Sequence, residues 1–221
     1  MSIVNLSKSN YDYFLGFLFK GMKNLTTAPE LKTTTFINRC YSNMFDGCKS
    51  LINPPSVVYV NSSHAGCNGM FYSCKKMTYA PELPSTTLYD GCYQWMFGAC
   101  TSLTTGPELP ATTLADYCYY NMFYNCTSLK RIKMNASSGN WGDSMFDGCT
   151  SLELVDMTGS RGVPALSNVN NFANTNNTYK IVVPDSLYDI WIAATNWASI
   201  ASHIIKQSDW NAAHPDDILG Q

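Results

Sequence analysis

An eight-residue phrase, Met-Phe-x-x-Cys-[Thr/Lys]-[Ser/Lys]-[Leu/Met], recurs along the chain and leaves few folds open to it. It starts at Met44, Met70, Met96, Met122 and Met145, at three intervals of 26 residues and a last one of 23. Looser copies extend the register to Leu18-Phe19-Lys20-Gly21-Met22-Lys23-Asn24-Leu25, 26 residues before Met44, and to Asn171-Phe172-Ala173-Asn174, 26 after Met145. A period between about 20 and 50 residues marks a solenoid, in which each unit buries its apolar face only by stacking on its neighbours. About seven registers cover most of the 221 residues, so the chain reads as one elongated domain.

Composition agrees with a packed array. Hydrophobic residues make up 45% and charged residues only 14%, too apolar for disorder and weakly charged for an isolated monomer. The missing charge is replaced by Ser, Thr, Asn and Tyr. A net charge of −2 carries no electrostatic footprint for nucleic acid. The basic clusters Lys20/Lys23 and Lys130-Arg131-x-Lys133 are small and read as solvated charge. The apolar run Tyr13 to Phe19 is too short to span a bilayer, lacks a small-residue cleavage site and coincides with the first repeat register. No signal peptide and no membrane insertion are expected.

The nine cysteines are periodic. Cys48, Cys74, Cys100, Cys126 and Cys149 hold the fifth position of the phrase; Cys40, Cys92 and Cys118 lie four residues before its start, and Cys67 three before. In a helix Cys40, Met44 and Cys48 share one face. Two helical turns would hold the cysteines about 12 Å apart, too far for a disulfide within a unit. The closely spaced pairs of a zinc site are missing. The reading is a stacked ladder of buried, reduced thiols, as small hydrophobes. Disulfides or metal between adjacent repeats are the alternative.

Within one unit, Cys92, Met96, Phe97 and Cys100 predict a short amphipathic helix. Leu103-Thr104-Thr105 then predicts a short strand ended by Pro107, a position shared by Pro29, Pro55 and Pro81. An irregular stretch follows from Glu108 to Thr113, after which Leu114 turns inward, as do Leu88 and Phe36 in their units. Stacked turns would pair the strands in parallel about 4.8 Å apart, with helices opposite and Thr and Ser hydroxyls bonding along the stack.

These residues resemble the BspA-type, or Treponema-pallidum-type, leucine-rich repeat, with Met where its usual Ala-Phe-x-x-Cys-x-x-Leu phrase has Ala. The resemblance covers about residues 15 to 180. It implies an α/β leucine-rich repeat solenoid of about seven turns of 23–26 residues, with a parallel strand ladder and short helices on the opposite side. It implies a surface-associated protein of host-associated bacteria, some protozoa, or phages of gut bacteria, acting in adhesion or ligand recognition. No catalytic residues come with it.

The expected organisation is an N-terminal partial cap over 1–17, the repeat array over 18–178, a strand-helix cap over 179–207 and a polar tail over 208–221. The cap holds the strand Tyr179 to Val183, a stop at Pro184, and a helix begun by Asp185 or Ser186 and continued through Leu187, Tyr188, Trp191 and Ile192. Trp197, Ile200, Ile204 and Ile205 continue its apolar pattern. The tryptophans read as core, with a docking surface as the alternative.

Chemistry-bearing motifs are sparse. His64, His203 and His214 fall in no metal-ligand or nucleophile-base spacing, and there is no glycine-rich phosphate loop. Glu82 and Glu108 stack as neighbours and read as solvated rim carboxylates, against a calcium or sugar contact. No catalytic residues, cofactor or metal are expected. The candidate binding residues are aromatic: Tyr41, Tyr72, Tyr93, Trp95, Tyr119, Tyr120 and Tyr124 lie beside the core positions of the phrase. Large rigid rings with polar tips suit recognition of a protein or a surface glycan; packing of turn against turn is the alternative. The expected function is non-catalytic surface recognition or adhesion, in the preferred version a phage tail or fibre component contacting a bacterial surface. A bacterial surface adhesin fragment and a structural spacer, with an oligomer compatible with either, are the other versions.

Overall fold

The structure, a computed structural model, describes residues 15–31, 39–56, 58 and 66–220. Phe36, His64 and most of the expected N-terminal cap lie outside these residues. Five parallel strands stand side by side in chain order: β1 (Thr105–Leu109), β2 (Arg131–Met134), β3 (Leu154–Asp156), β4 (Lys180–Val183) and β5 (Ile204–Lys206). Their register lines up Ile132, Val155, Ile181 and Ile204 as one buried row.

Proline decides where this ladder is regular. Pro107 does not end its strand as expected; it lies inside β1, and the pairing with β2 slips between Thr105 and Glu108. A proline has no N–H to give the ladder, so the slip falls where the donor is missing. Upstream, where Pro29, Pro55 and Pro81 recur, the described residues pair only in isolated bridges such as Thr27–Asn53 and Tyr79–Thr105. The strands β2 to β5 contain no proline, and their register is continuous.

The segment predicted as a helix keeps its place opposite the strands but is built from tight turns. In Gly91 to Cys100, alternate amides bond within the turn, as Met96 N–H does to Tyr93 O (3.1 Å). The intervening ones bond to the next unit, as Tyr93 N–H does to Cys118 O (3.1 Å) and Trp95 N–H to Tyr120 O (2.9 Å). Every fourth residue has positive φ: Gly91, Trp95 and Ala99 here, Tyr117, Asn121 and Asn125 in the next unit. Such residues break an α-helix and send half its amides sideways. The ribbon therefore repeats every four residues, so Cys92, Met96 and Cys100 still share the buried face.

Each unit adds one rung to the core. Phe19, Phe45, Phe71, Phe97, Phe123, Phe146 and Phe172 form a continuous stack with centroids 5.3–5.8 Å apart. Beside it run the methionines of the phrase and Leu51, Met77, Leu103, Leu129 and Leu152. Leu88 and Leu114 close the core from the connecting stretches, as expected. Burying each such side chain contributes about 1.5–3 kcal/mol.

All nine cysteines are buried as thiols rather than disulfides. The thiols of Cys48, Cys74, Cys100, Cys126 and Cys149 donate to the carbonyls of Phe19, Phe45, Phe71, Phe97 and Phe123 at 3.0–3.2 Å. These bonds tie consecutive rungs together. Burial pushes the thiols of Cys92, Cys100 and Cys149 up to about 12, so they hold their protons at neutral pH. Since the thiolate is the reactive form, iodoacetamide at pH 8 is expected to leave the folded chain unmodified. The same treatment in denaturant should add nine labels, counted by mass spectrometry.

The C-terminal end differs most from expectation. Helix α1 (Tyr188–Ala193) is preceded by a 3-10 turn over Asp185–Leu187 whose N-cap position is Pro184, with no side-chain cap. The Asp185 carboxylate instead accepts from the Ser208 N–H (3.0 Å), in the first turn of a second helix, α2 (Gln207–Ala213). Trp141, Trp191 and Trp197 meet inside the cap, with Trp197 5.1 and 4.5 Å from the other two, and Trp197 Nε1–H donates to Pro164 O (2.8 Å). The tryptophans of α1 and the turn after it are thus core. Of the expected polar tail over 208–221, residues 208–220 fold back instead: Trp210 covers Leu154 and Val182, and Asp217 pairs with Arg131. Among the charges noted in the sequence, Lys130 pairs with Glu153 (3.1 Å) and Lys133 with Glu108 (3.0 Å).

Candidate functional site

The turn ribbon presents a flat face in which residues 26 apart sit directly over one another, as the amide bonds Gly69 N–H to Gln94 O and Trp95 N–H to Tyr120 O require. Of the seven aromatic residues expected to bind, Tyr41, Tyr93 and Tyr119 are each 1% exposed. Tyr93 and Tyr119 stack at 6.2 Å within the core, and burial holds the phenols of all three well above their usual range. This corrects the expectation that they sit on the surface. Each directly follows a buried cysteine, and the four-residue ribbon turns both positions inward.

Tyr72, Trp95, Tyr120 and Tyr124 are partly exposed and form one cluster around Trp95. Its ring lies 5.8 Å from Tyr72, 6.2 Å from Tyr120 and 5.3 Å from Tyr124, at interplanar angles of 75°, 76° and 67°. Tyr117, 62% exposed and 6.1 Å from Tyr120, extends it. Tyr117 was not among the expected residues. Its signal in the sequence is an aromatic residue where the preceding unit has Gly91.

The backbone under this cluster is unusual. Trp95 has φ +58°, in a row whose other members include Asn43, Gly69 and Asn121. Glycine and asparagine enter the left-handed region readily, whereas a bulky side chain there costs about 1–2 kcal/mol. Phe17, at φ +62° in the same row, and Tyr117, at φ +54°, are the other aromatic residues in this conformation. Below Trp95 Gly98 clears the space: a Cβ there would come within 2.9 Å of the Tyr72 ring and 3.2 Å of Trp95. Tyr72, Gly98 and Tyr124 occupy one row, so the glycine makes the seat in which Trp95 lies between two tyrosines. Amides border the cluster, with Asn68 Nδ2–H donating to Gln94 Oε1 (2.8 Å).

The strand side carries a second polar row, in which Tyr79 donates to Asn53 and Asn53 to Thr27 (both 3.1 Å). Glu82 is exposed, and the paired Glu108 is held by Lys133. Among the described residues no group of three or more His, Cys, Asp or Glu is placed to hold a metal ion, and no helix is long and apolar enough to cross a membrane.

Stacked turns with a parallel ladder and an aromatic spine define a leucine-rich repeat solenoid. The chain belongs to the BspA type leucine rich repeat family, whose model matches six copies over residues 67–198. No curated protein matches the chain, and no solved structure does. Repeats of this family are generally non-catalytic modules for protein binding or surface adhesion, and are typically surface-associated or extracellular.

Proposed function

We propose that the chain is a surface-recognition module whose contact face is the aromatic cluster around Trp95. The observation that carries this reading is the left-handed backbone of Trp95. Asn or Gly would relieve that position, and Gly69 and Asn121 hold it in the two flanking turns, so the indole is retained against local stability. Side chains kept at such a cost fit a role in contact with a ligand. The preferred setting is a phage tail or fibre component that meets a bacterial surface. Nine buried cysteines, none of them in a disulfide, support it, because they suit a chain that folds in a reducing cytoplasm and is carried outside afterwards. A bacterial surface adhesin would use the same face.

The test is Trp95→Asn beside the parent chain, read by thermal melting and by binding of labelled protein to a panel of gut bacteria. The variant is expected to melt at the same temperature or higher, while strain-selective binding falls at least tenfold. A lower melting temperature with full binding would make Trp95 a packing residue and move the contact face elsewhere. Absence of binding by the parent chain to every strain would favour a structural spacer.

A further inference from the structure

Resting on that recognition reading, we propose that the Trp95 face takes a short segment of uncharged saccharide chain, about three sugar units long. Four observations lead there. Within the four consecutive ribbon segments 42–47, 68–73, 94–99 and 120–125 the exposed apolar surface is aromatic apart from the small Ala99: they contain no Leu, Ile or Val, and their Met44, Met70, Met96 and Met122 are buried. A protein hot spot normally mixes aromatic anchors with aliphatic packing or arginine. A sugar ring instead offers a flat patch of C–H groups, polarised by neighbouring oxygens, that suits the negative face of an aromatic ring.

The same segments contain no Lys or Arg. An anionic polysaccharide would need cations to repay its desolvation, preferably in bidentate pairs. The one carboxylate within them, Asp46, is paired with Lys20 at 2.9 Å, so these segments carry no unpaired charge. What borders the rings is amide and hydroxyl: Asn68, Gln94 and Asn125, with the tyrosine hydroxyls. Such groups both donate and accept, as sugar hydroxyls do.

The spacing supplies the length. Tyr72 and Tyr124 lie two units apart with Trp95 between them, which spans about 10 Å at about 4.8 Å per unit. An extended chain of six-membered sugar rings repeats at nearly this interval, so successive rings meet successive aromatic residues. The near-perpendicular arrangement around Trp95 gives walls as well as a floor, which a single sugar ring can fill.

The experiment uses the full chain and one binding strain, treated either with periodate, which cleaves vicinal diols of surface glycans, or with proteinase K, which removes surface protein. Periodate is expected to abolish binding and proteinase K to leave it intact. Cellotriose, maltotriose and 1,6-linked mannotriose, whose rings keep a vicinal diol, would then be titrated by calorimetry beside a heparin-derived oligosaccharide. At least one neutral trisaccharide is expected to bind, with little change up to about 1 M salt because no ion pair is involved, and Trp95→Asn is expected to weaken it at least tenfold. Loss of cell binding after proteinase K but not periodate would overturn the saccharide assignment and leave surface recognition standing. Preference for the heparin oligosaccharide would also overturn it. Failure of the untreated strain to bind at all would remove the recognition reading itself.

Discussion

Above about pH 9 the protein is expected to unfold cooperatively, with a midpoint at about pH 10 and full loss of structure before about pH 12. The cause is the thiol ladder. Burial raises the pKa of eight of the nine cysteines above the ordinary value of 9.0, and those of Cys92, Cys100 and Cys149 reach about 12. The sign follows from proton counting. Below about pH 8 both folded and unfolded chains carry every thiol proton, and stability does not change with pH on this account. From pH 9 upward the unfolded chain releases protons that the folded chain keeps, so ionisation favours unfolding. Each thiol then removes up to about 1.4 kcal/mol of stability per pH unit. The seven other than Cys48, whose rise is smaller, together remove up to about 10 kcal/mol per unit, comparable with the whole stability of a domain at about 5–15 kcal/mol. The buried phenols of Tyr41, Tyr93 and Tyr119 add to the same slope at higher pH. Circular dichroism followed from pH 7 to pH 12 measures the transition, and a Cys100→Ala/Cys126→Ala chain should show a shallower one. Native ellipticity persisting at pH 12 would mean that the thiols ionise in place or that the ladder is open to water.

Phe97→Ala is expected to cost about 3–5 kcal/mol and to break the array into two unfolding units. Phe97 is fully buried, with Phe71 5.7 Å on one side and Phe123 5.6 Å on the other. In a solenoid each unit is stabilised mainly by its neighbours, so a weakened interface in the middle uncouples the two ends. The half carrying β2 to β5 and the tryptophan cap should melt later than the half whose strands are interrupted by proline. Differential scanning calorimetry reads this as one transition in the parent and two in the variant. Tyr117→Ala, on the exposed rim, should change the stability by no more than about 0.5 kcal/mol. A single unsplit transition for Phe97→Ala would mean that coupling runs chiefly through the backbone bonds of the turn ribbon.

The two ladders also explain why so weakly charged a chain holds one register. A slip of the phrase by one residue would separate Phe97 from its stack and Cys126 from the Phe97 carbonyl at once. Specificity comes from this coincidence of apolar stacking and thiol hydrogen bonding, with few ion pairs involved.

The period of the phrase determines the solenoid by itself, because residues that recur every 26 positions can bury their apolar sides only against the next copy. It likewise determines the core: the Met, Phe, Cys and Leu positions of the phrase are the buried ones, and the cysteine spacing already argues for unpaired thiols. The local conformation was not legible to the same degree. Nine residues read at 100° per residue for a helix or 90° for a four-residue turn place almost the same side chains on one face, so Cys92, Met96 and Cys100 fit both. The deciding signal is a different one, Asn or Gly at every fourth position, as in Asn43-x3-Gly47 and Asn121-x3-Asn125. Only the tertiary structure sorted the aromatic residues. Tyr93 and Trp95 stand two apart in sequence, yet one is inside the stack and the other outside, because the ribbon rotates a quarter turn per residue. It also decided the end of the chain, where a stretch polar in composition carries one indole, Trp210, placed to cover Leu154 and Val182. That contact joins residues far apart in sequence, and no local pattern encodes it.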